Sequence, residues 1–251
     1  MELTKIDERV YSILEKKISL IKTDQGVIYL VGPIKLPVNL YNETVTFQWY
    51  CWLNCEEVTE DLHTIVDMLS SINLAEMQQS SVLVYGDFEN ADDALIRMHS
   101  ICHTGDIFGS KRCDCGFQLK QSMKRIVENG VGAIFYLANH EGRGIGLFSK
   151  AMAYILQENG YDTVEANREL GFRDDQRNYS DAIQVLKALR NKPVTLITNN
   201  PRKLEALKKS GLTVSGRQAL WGDVSEYNKK YLDTKVKRSG HLREDVTCFN
   251  D

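Results

Sequence analysis

Nothing in this 251-residue sequence forms an apolar run of the roughly 20 residues that crosses a membrane. Its first residues, Met1-Glu2-Leu3-Thr4-Lys5, lack the basic patch and apolar stretch of a secretory leader, so a cytoplasmic protein is expected. Excess positive charge is absent too. The 31 Lys and Arg residues against 34 Asp and Glu leave a net charge of −3. That argues against a general nucleic-acid binder, although a local basic pocket stays open. Proline is scarce, at four, beside 17 glycines, which excludes collagen-like and low-complexity readings. There is no internal repeat and no linker rich in Pro, Gly or Ser. What is present is ordinary for a folded chain: 43% hydrophobic and 26% charged residues. The length suits one large domain, or one with an extension. Six cysteines, Cys51, Cys55, Cys102, Cys113, Cys115 and Cys248, read as thiols or metal ligands in a reducing compartment.

A helix is expected over 5–17. Val27 to Val31 is an apolar strand, closed by Gly32-Pro33. Thr44 to Leu53, rich in β-branched and aromatic residues, is a second strand. Over 58–72 the period turns helical, with Val58, Leu62, Ile65, Val66, Leu69 and Ile72 on one face. Strands at 81–85 and 94–98 follow. Beyond them helices at 116–128, 147–159, 181–190 and 201–210 alternate with strands at 132–137 and 194–198. Such alternation favours α/β layering. The texture changes near residue 80. This divides an N-terminal α+β extension (1–80) from a main domain (81–220). Residues 221–251 are polar, show no clear period and read as a mobile tail.

Cys102, Cys113 and Cys115 form C-x10-C-x-C. No single strand or helix face brings all three together, so a loop must fold Cys102 back onto the Cys113 turn. Three thiolates with a fourth position open are the donor set of a catalytic zinc, whose bound water has a pKa near neutrality. Three buried free thiols would look the same by spacing. The polar, turn-forming surroundings, Thr104-Gly105-Asp106 and Lys111 to Gly116, favour the metal. Cys51 and Cys55 lie apart from this cluster. His99 and His103 bracket the first cysteine; either could be a ligand, but a lone histidine is more often a hydrogen-bonded structural one.

His140-Glu141-Gly142-Arg143-Gly144-Ile145-Gly146 follows an expected strand and opens an expected helix. Such a loop lets backbone N–H groups and Arg143 approach an anion. It is not G-x-G-x-x-G and gives no evidence for a dinucleotide. Asp174-Asp175-Gln176-Arg177 sets a carboxylate two residues before an arginine, which taken alone is usually a surface ion pair. Thr198-Asn199-Asn200-Pro201-Arg202-Lys203 ends a strand and starts a helix, where ligands sit in α/β sheets.

Together these stretches resemble one family, GTP cyclohydrolase II, whose reaction opens riboflavin biosynthesis. The carrying residues are Arg97-Met98-His99-Ser100, Cys102 to Asp106, Arg112-Cys113-Asp114-Cys115-Gly116, Glu141 to Leu147, Asp162 to Asn167, Leu170-Gly171-Phe172 and Thr198 to Pro201. Tyr231 to Lys235 with Gly240-His241-Leu242 resembles the family's C-terminal signature. The resemblance runs over residues 81–242. It implies a three-layer mixed-sheet α/β domain, zinc on Cys102, Cys113 and Cys115, and water attack at C8 of guanine, with C8 leaving as formate. It further implies a GTP site built from Arg97, Met98, His99, Ser100, Gln118, Glu141, Gly142, Arg143, Thr163, Thr198 and Lys203. Asp175 matches a proton acceptor, and Tyr154 a tyrosine beside the purine. Arg177 matches a proposed nucleophile toward the α-phosphate; since guanidinium is normally protonated, charge stabilisation is an equally open role. Magnesium with the triphosphate and a homodimer are also implied.

Two positions depart from the family pattern. Ile101 replaces a common Glu before the first cysteine, and Asn178 replaces an acidic residue after Arg177. Residues 1–80 exceed the family's short N-terminal part, and the chain is too short for the fused dihydroxybutanone-phosphate synthase domain of many relatives. These departures keep two alternatives beside GTP ring opening: a guanine-nucleotide-binding regulatory paralogue, and a cyclohydrolase of a specialised pathway that stops at a formamido intermediate.

Overall fold

The structure, a computed structural model, describes residues 7–24, 26–55, 61–69, 73–222 and 224–242. Val58, Ile72, Cys248 and the side chain of Leu62 lie outside that description. The strands are β1 (Ile18–Thr23), β2 (Gly26–Leu40), β3 (Glu43–Cys55), β4 (Ser80–Tyr85), β5 (Ala94–Ser100), β6 (Gly132–Leu137), β7 (Val194–Ile197) and β8 (Val214–Gln218). They form one mixed sheet in the order β1-β2-β3-β4-β6-β5-β7-β8. The β1 to β4 segment and its join to β6 are antiparallel, whereas β6, β5, β7 and β8 run parallel. The helices are α1 (Glu8–Leu14), α2 (Leu62–Leu69), α3 (Cys115–Asn129), α4 (Leu147–Glu158), α5 (Thr163–Glu169), α6 (Ser180–Leu189), α7 (Pro201–Lys209) and α8 (Lys229–Ser239). No helix among the described residues is long and apolar enough to cross a membrane.

The three layers implied by the resemblance are present. On one face Met123 and Ile126 of α3 pack on Leu95, Ile134 and Ile197. On the other, Ile183 and Leu186 of α6 and Leu204 and Leu207 of α7 pack on Ile96, Met98, Phe135 and Leu196. Alternation along β5 decides where its polar residues go. Ala94, Ile96 and Met98 face α6 and α7, so Arg97 and His99 fall on the α3 side with Leu95.

Three expectations change. Gly32-Pro33 does not end a strand: β2 runs on to Leu40, and the register with β3 shifts between Val31 and Ile34. A proline without an N–H is accommodated at such a bulge. The texture change near residue 80 falls at the start of β4, where β3 pairs with β4, so the extension's strands continue the main sheet. The tail holds a helix, α8, with only Leu232 and Thr234 buried. One buried leucine leaves no apolar period to read.

Candidate active site

The cysteines meet because two glycines touch. Residues 103–107 form a π-helical turn after β5, and α3 begins at Cys115. A Cβ on Gly116 would collide with the Gly105 carbonyl oxygen, so only glycine lets the turn lie on the start of α3. A Cβ on Gly105 would stand 2.8 Å from Cys113 Sγ and 3.1 Å from Cys102 Sγ. The three sulfurs lie within 4.8 Å of one another. Cys102 and Cys113 are buried.

The surroundings of Cys102 are fixed by charge. Lys150 Nζ, from α4, donates to Cys102 Sγ at 3.3 Å and to Glu141 at 2.6 Å. Glu141 in turn accepts from the His103 N–H at 2.6 Å. Asp106 accepts from the Cys102 N–H at 2.9 Å and from Tyr136 OH at 3.1 Å, and pairs with His99 Nε2 at 3.0 Å. Hydrogen bonds from Cys113 and Cys115, with Lys150 nearby, hold the Cys102 thiol far below its ordinary pKa. The hydrogen bond to Cys102 then pushes Cys113 up to about 11, and Cys115 also rises. A divalent cation relieves that repulsion and lets all three ionise. Three soft donors with one side facing a cleft fit Zn2+.

The same cleft is also lined by an ion pair. Asp175 takes a two-point contact from Arg177, 2.8 Å from Nε and 2.6 Å from Nη2. Arg202 adds a third contact at 3.4 Å, and Arg177 Nη1 reaches Ser100 Oγ at 3.4 Å. Burial alone would raise the Asp175 pKa, but Arg177 outweighs it and brings it down to about 2. Burial works against the Arg177 charge, yet Tyr179 and Asp175 raise its pKa further. The guanidinium is therefore fixed as a cation.

The cysteines and the ion pair line one open cleft. Cys102, Cys113, Glu141, Gly142, Arg143, Tyr154, Thr163, Asp175 and Arg177 line it. An adjoining chamber is lined by Arg97, His99, Gln118, Thr198 and Lys203; Ser100 and Cys115 border both. Burial, together with Arg177 and Arg97, drives Lys203 well below its ordinary pKa, and its Nζ donates to the Met98 carbonyl. A crowd of buried cations with few counter-ions is a seat for a polyanion. The helix start expected after Asn199 is real: the Asn200 side chain accepts from Arg202 N at 3.0 Å, with Pro201 opening α7.

The comparisons with known proteins agree with this geometry. The family model for GTP cyclohydrolase II matches residues 59–219. This chain belongs to the GTP cyclohydrolase II family. It is 50% identical over 160 residues to GTP cyclohydrolase-2 of Haemophilus influenzae, covering 63% of this chain and 74% of that one. It is 49% identical over 171 residues to riboflavin biosynthesis protein RibBA of Bacillus velezensis, covering 68% of this chain and 43% of that one. A monofunctional riboflavin biosynthesis protein of Arabidopsis thaliana, RIBA 3, is 42% identical over 196 residues, 78% of this chain and 35% of that one. The chain thus spans less than half the length of the Bacillus and Arabidopsis relatives.

Of the residues expected from the family, Met98 alone points elsewhere. Its side chain is fully buried against α6 and α7, and only its carbonyl serves the site, through Lys203. Of the two departures, Ile101 lines the cleft. Asn178 does not: its side chain accepts from the Ser180 N–H at 2.8 Å, and its carbonyl pairs with His140 Nε2 at 2.7 Å. Sequence reasoning missed Lys150, although its spacing of four residues from Tyr154 on α4 puts both on one face. It named Asp114, Tyr231, Lys235 and His241 only as parts of the family's signature stretches and gave them no place in the site. An i, i+4 pair of Tyr and Lys within the C-terminal signature was the available signal.

Proposed function

We propose that the protein hydrolytically opens the imidazole ring of GTP, releasing formate and pyrophosphate and leaving 2,5-diamino-6-(5-phospho-ribosylamino)pyrimidin-4-one. The presence of three clustered cysteine sulfurs and a fixed Asp175–Arg177 pair in the lining of one cleft carries this reading. Zn2+ held by Cys102, Cys113 and Cys115 supplies, when bound, an activated water for the guanine C8. Magnesium enters with the triphosphate.

The chain's own groups do the rest. Arg143, Arg177 and Lys203 seat the phosphates. Arg97, held through Gln118, extends that charge into the second chamber. Arg177, clamped by Asp175, stabilises negative charge building on the α-phosphate, and its fixed protonation favours this role over nucleophilic attack. Asp175 acts in this geometry as the counter-ion that aims the guanidinium. Tyr154, its hydroxyl 3.3 Å from Thr104 Oγ1, closes the cleft beside the sulfurs. Lys150 balances the thiolate charge.

The test is one incubation of zinc-loaded protein with GTP and magnesium, in which formate, pyrophosphate and the nucleotide product are quantified together. Equal formate and pyrophosphate, both lost in Cys113→Ser, are expected. Pyrophosphate without formate would identify an arrested, formamido-yielding enzyme. GTP binding with neither product would mean a regulatory nucleotide-binding protein. The reading includes a cytoplasmic homodimer, which light scattering on the purified chain checks.

A further inference from the structure

Helix α8 lines the cleft, and nothing in the reaction above uses it. Tyr231, Lys235 and Arg238 recur at helical spacing on its cleft-lining face, and His241 follows just beyond its end. Lys235 stands at the centre. Its Nζ lies 2.7 Å from Asp114 Oδ1 and 4.3 Å from the centre of the Tyr231 ring. Asp114 sits between Cys113 and Cys115, and its side chain is 0% exposed. It also accepts from Gln118 Nε2, the residue that holds Arg97. One ion pair therefore links α8, the cysteine loop and the second chamber.

The other attachments of this segment are polar as well. Lys230 Nζ donates to the Gly160 carbonyl at 2.7 Å, Arg238 meets Glu165 at 2.9 Å, and the Leu242 N–H donates to the Asn199 carbonyl at 2.8 Å. Leu232 is the single buried apolar side chain among the described residues of α8. An element so attached opens at far lower cost than the sheet beneath it. The same element lines a cleft that, on the reading above, a nucleotide has to enter and leave.

We propose that α8 is a nucleotide-retaining lid, and that Lys235 is its latch and a positioning residue of the site. Through Asp114, closure of the lid sets the placement of the loop that carries Cys113 and Cys115. The inference rests on the reading of the cleft as a GTP site.

The test uses the zinc-loaded full chain as wild type, Lys235→Met, Lys235→Arg and the double variant Asp114→Asn/Lys235→Met. The double variant leaves no buried carboxylate stranded, so a folding failure of the single variant does not decide the matter. The probe is a fluorescent, non-hydrolysable GTP analogue. The analogue should slow hydrogen exchange of the α8 amides at least tenfold. Lys235→Met and the double variant should release the analogue at least tenfold faster, raise KM more than they lower kcat, and keep their zinc. Lys235→Arg should recover most of the loss. Amides of α8 that exchange equally with and without analogue would overturn the lid. Release within twofold of wild type in the double variant would overturn the latch. A wild type that binds no analogue and releases no formate would overturn the GTP reading and the lid together. Formate release from a chain with a freely exchanging α8 would overturn the lid alone.

Discussion

Gly105→Ala isolates the geometry of the cysteine cluster from everything else. An added methyl would meet Cys113 Sγ at 2.8 Å, Cys102 Sγ at 3.1 Å and Cys115 Cβ at 3.2 Å. Non-bonded heavy atoms prefer about 3.5 to 4.0 Å, so all three contacts are too short at once. Rotating one cysteine away relieves one contact and spoils the trio. The turn must therefore shift, at a cost of about 1 to 3 kcal/mol, the usual range for overpacking. Since about 1.4 kcal/mol is tenfold in an equilibrium constant, zinc should bind roughly 5- to 150-fold more weakly. The backbone at Gly105 has no left-handed φ, so alanine adds no strain of that kind. The assay is zinc competition against a chromophoric chelator, with formate release at saturating zinc as the second readout. Melting of the zinc-free protein separates a folding defect from a metal defect. Zinc affinity and formate release both within twofold of wild type would refute the close-packed trio.

Two further outcomes follow from named groups. Arg177→Lys keeps a charge but loses the fork that matches Asp175, so pyrophosphate release should fall by about 10². With GTP labelled at the α-phosphate, the wild-type chain should carry no covalent label at Arg177; a labelled chain would establish the nucleophilic role instead. His140 is buried, and burial lowers its pKa to about 4. The folded chain then refuses a proton that the unfolded chain accepts near pH 6.5, so stability should drop as pH falls from about 6.5 to 4. His140→Gln should flatten that drop by up to about 3 kcal/mol. Melting curves of the two proteins that stay parallel between pH 7 and 4.5 would sink that assignment.

The parts legible in the sequence were those governed by local rules. Apolar periodicity placed α3, α4, α6 and α7 to within a residue or two, because each buries one face on the sheet. Turn chemistry placed the start of α7, since Asn200 caps it. The C-x10-C-x-C spacing pointed to a metal only with its polar surroundings, and the reason it works, Gly105 pressed against Gly116, is a long-range contact no local pattern announces. Gly32-Pro33 misled because whether proline stops a strand or sits in a bulge depends on the neighbouring strand, here β3. Helix α8 was illegible for the opposite reason. Its contacts are ion pairs with Asp114 and Glu165, far away in sequence, and these leave no periodic trace.

The geometry also weighs the two departures from the family pattern. A regulatory reading gained from Asn178 only if that side chain faced the substrate. It lies off the cleft and accepts from the Ser180 N–H at the start of α6, a role an aspartate fills equally well. The long N-terminal segment adds β1, β2 and β3 beside β4, whereas the cysteines and the Asp175–Arg177 pair stand beyond the parallel strands β5 and β6. That leaves Ile101, which lines the cleft one residue before Cys102. A carboxylate there would add negative charge next to the Cys102 sulfur, to which Lys150 donates. Isoleucine leaves the Lys150–Glu141 pair as the charge balance on that side. On the proposed zinc-dependent reading, the substitution bears on how firmly the metal and its water would be held rather than on nucleotide binding. Ile101→Glu should change formate release while leaving the affinity for a GTP analogue within about twofold, since Arg97 and Lys203, two of the cations proposed to seat the phosphates, line the adjoining chamber, which Ile101 does not line. A loss of analogue affinity in step with activity would place Ile101 in nucleotide recognition instead.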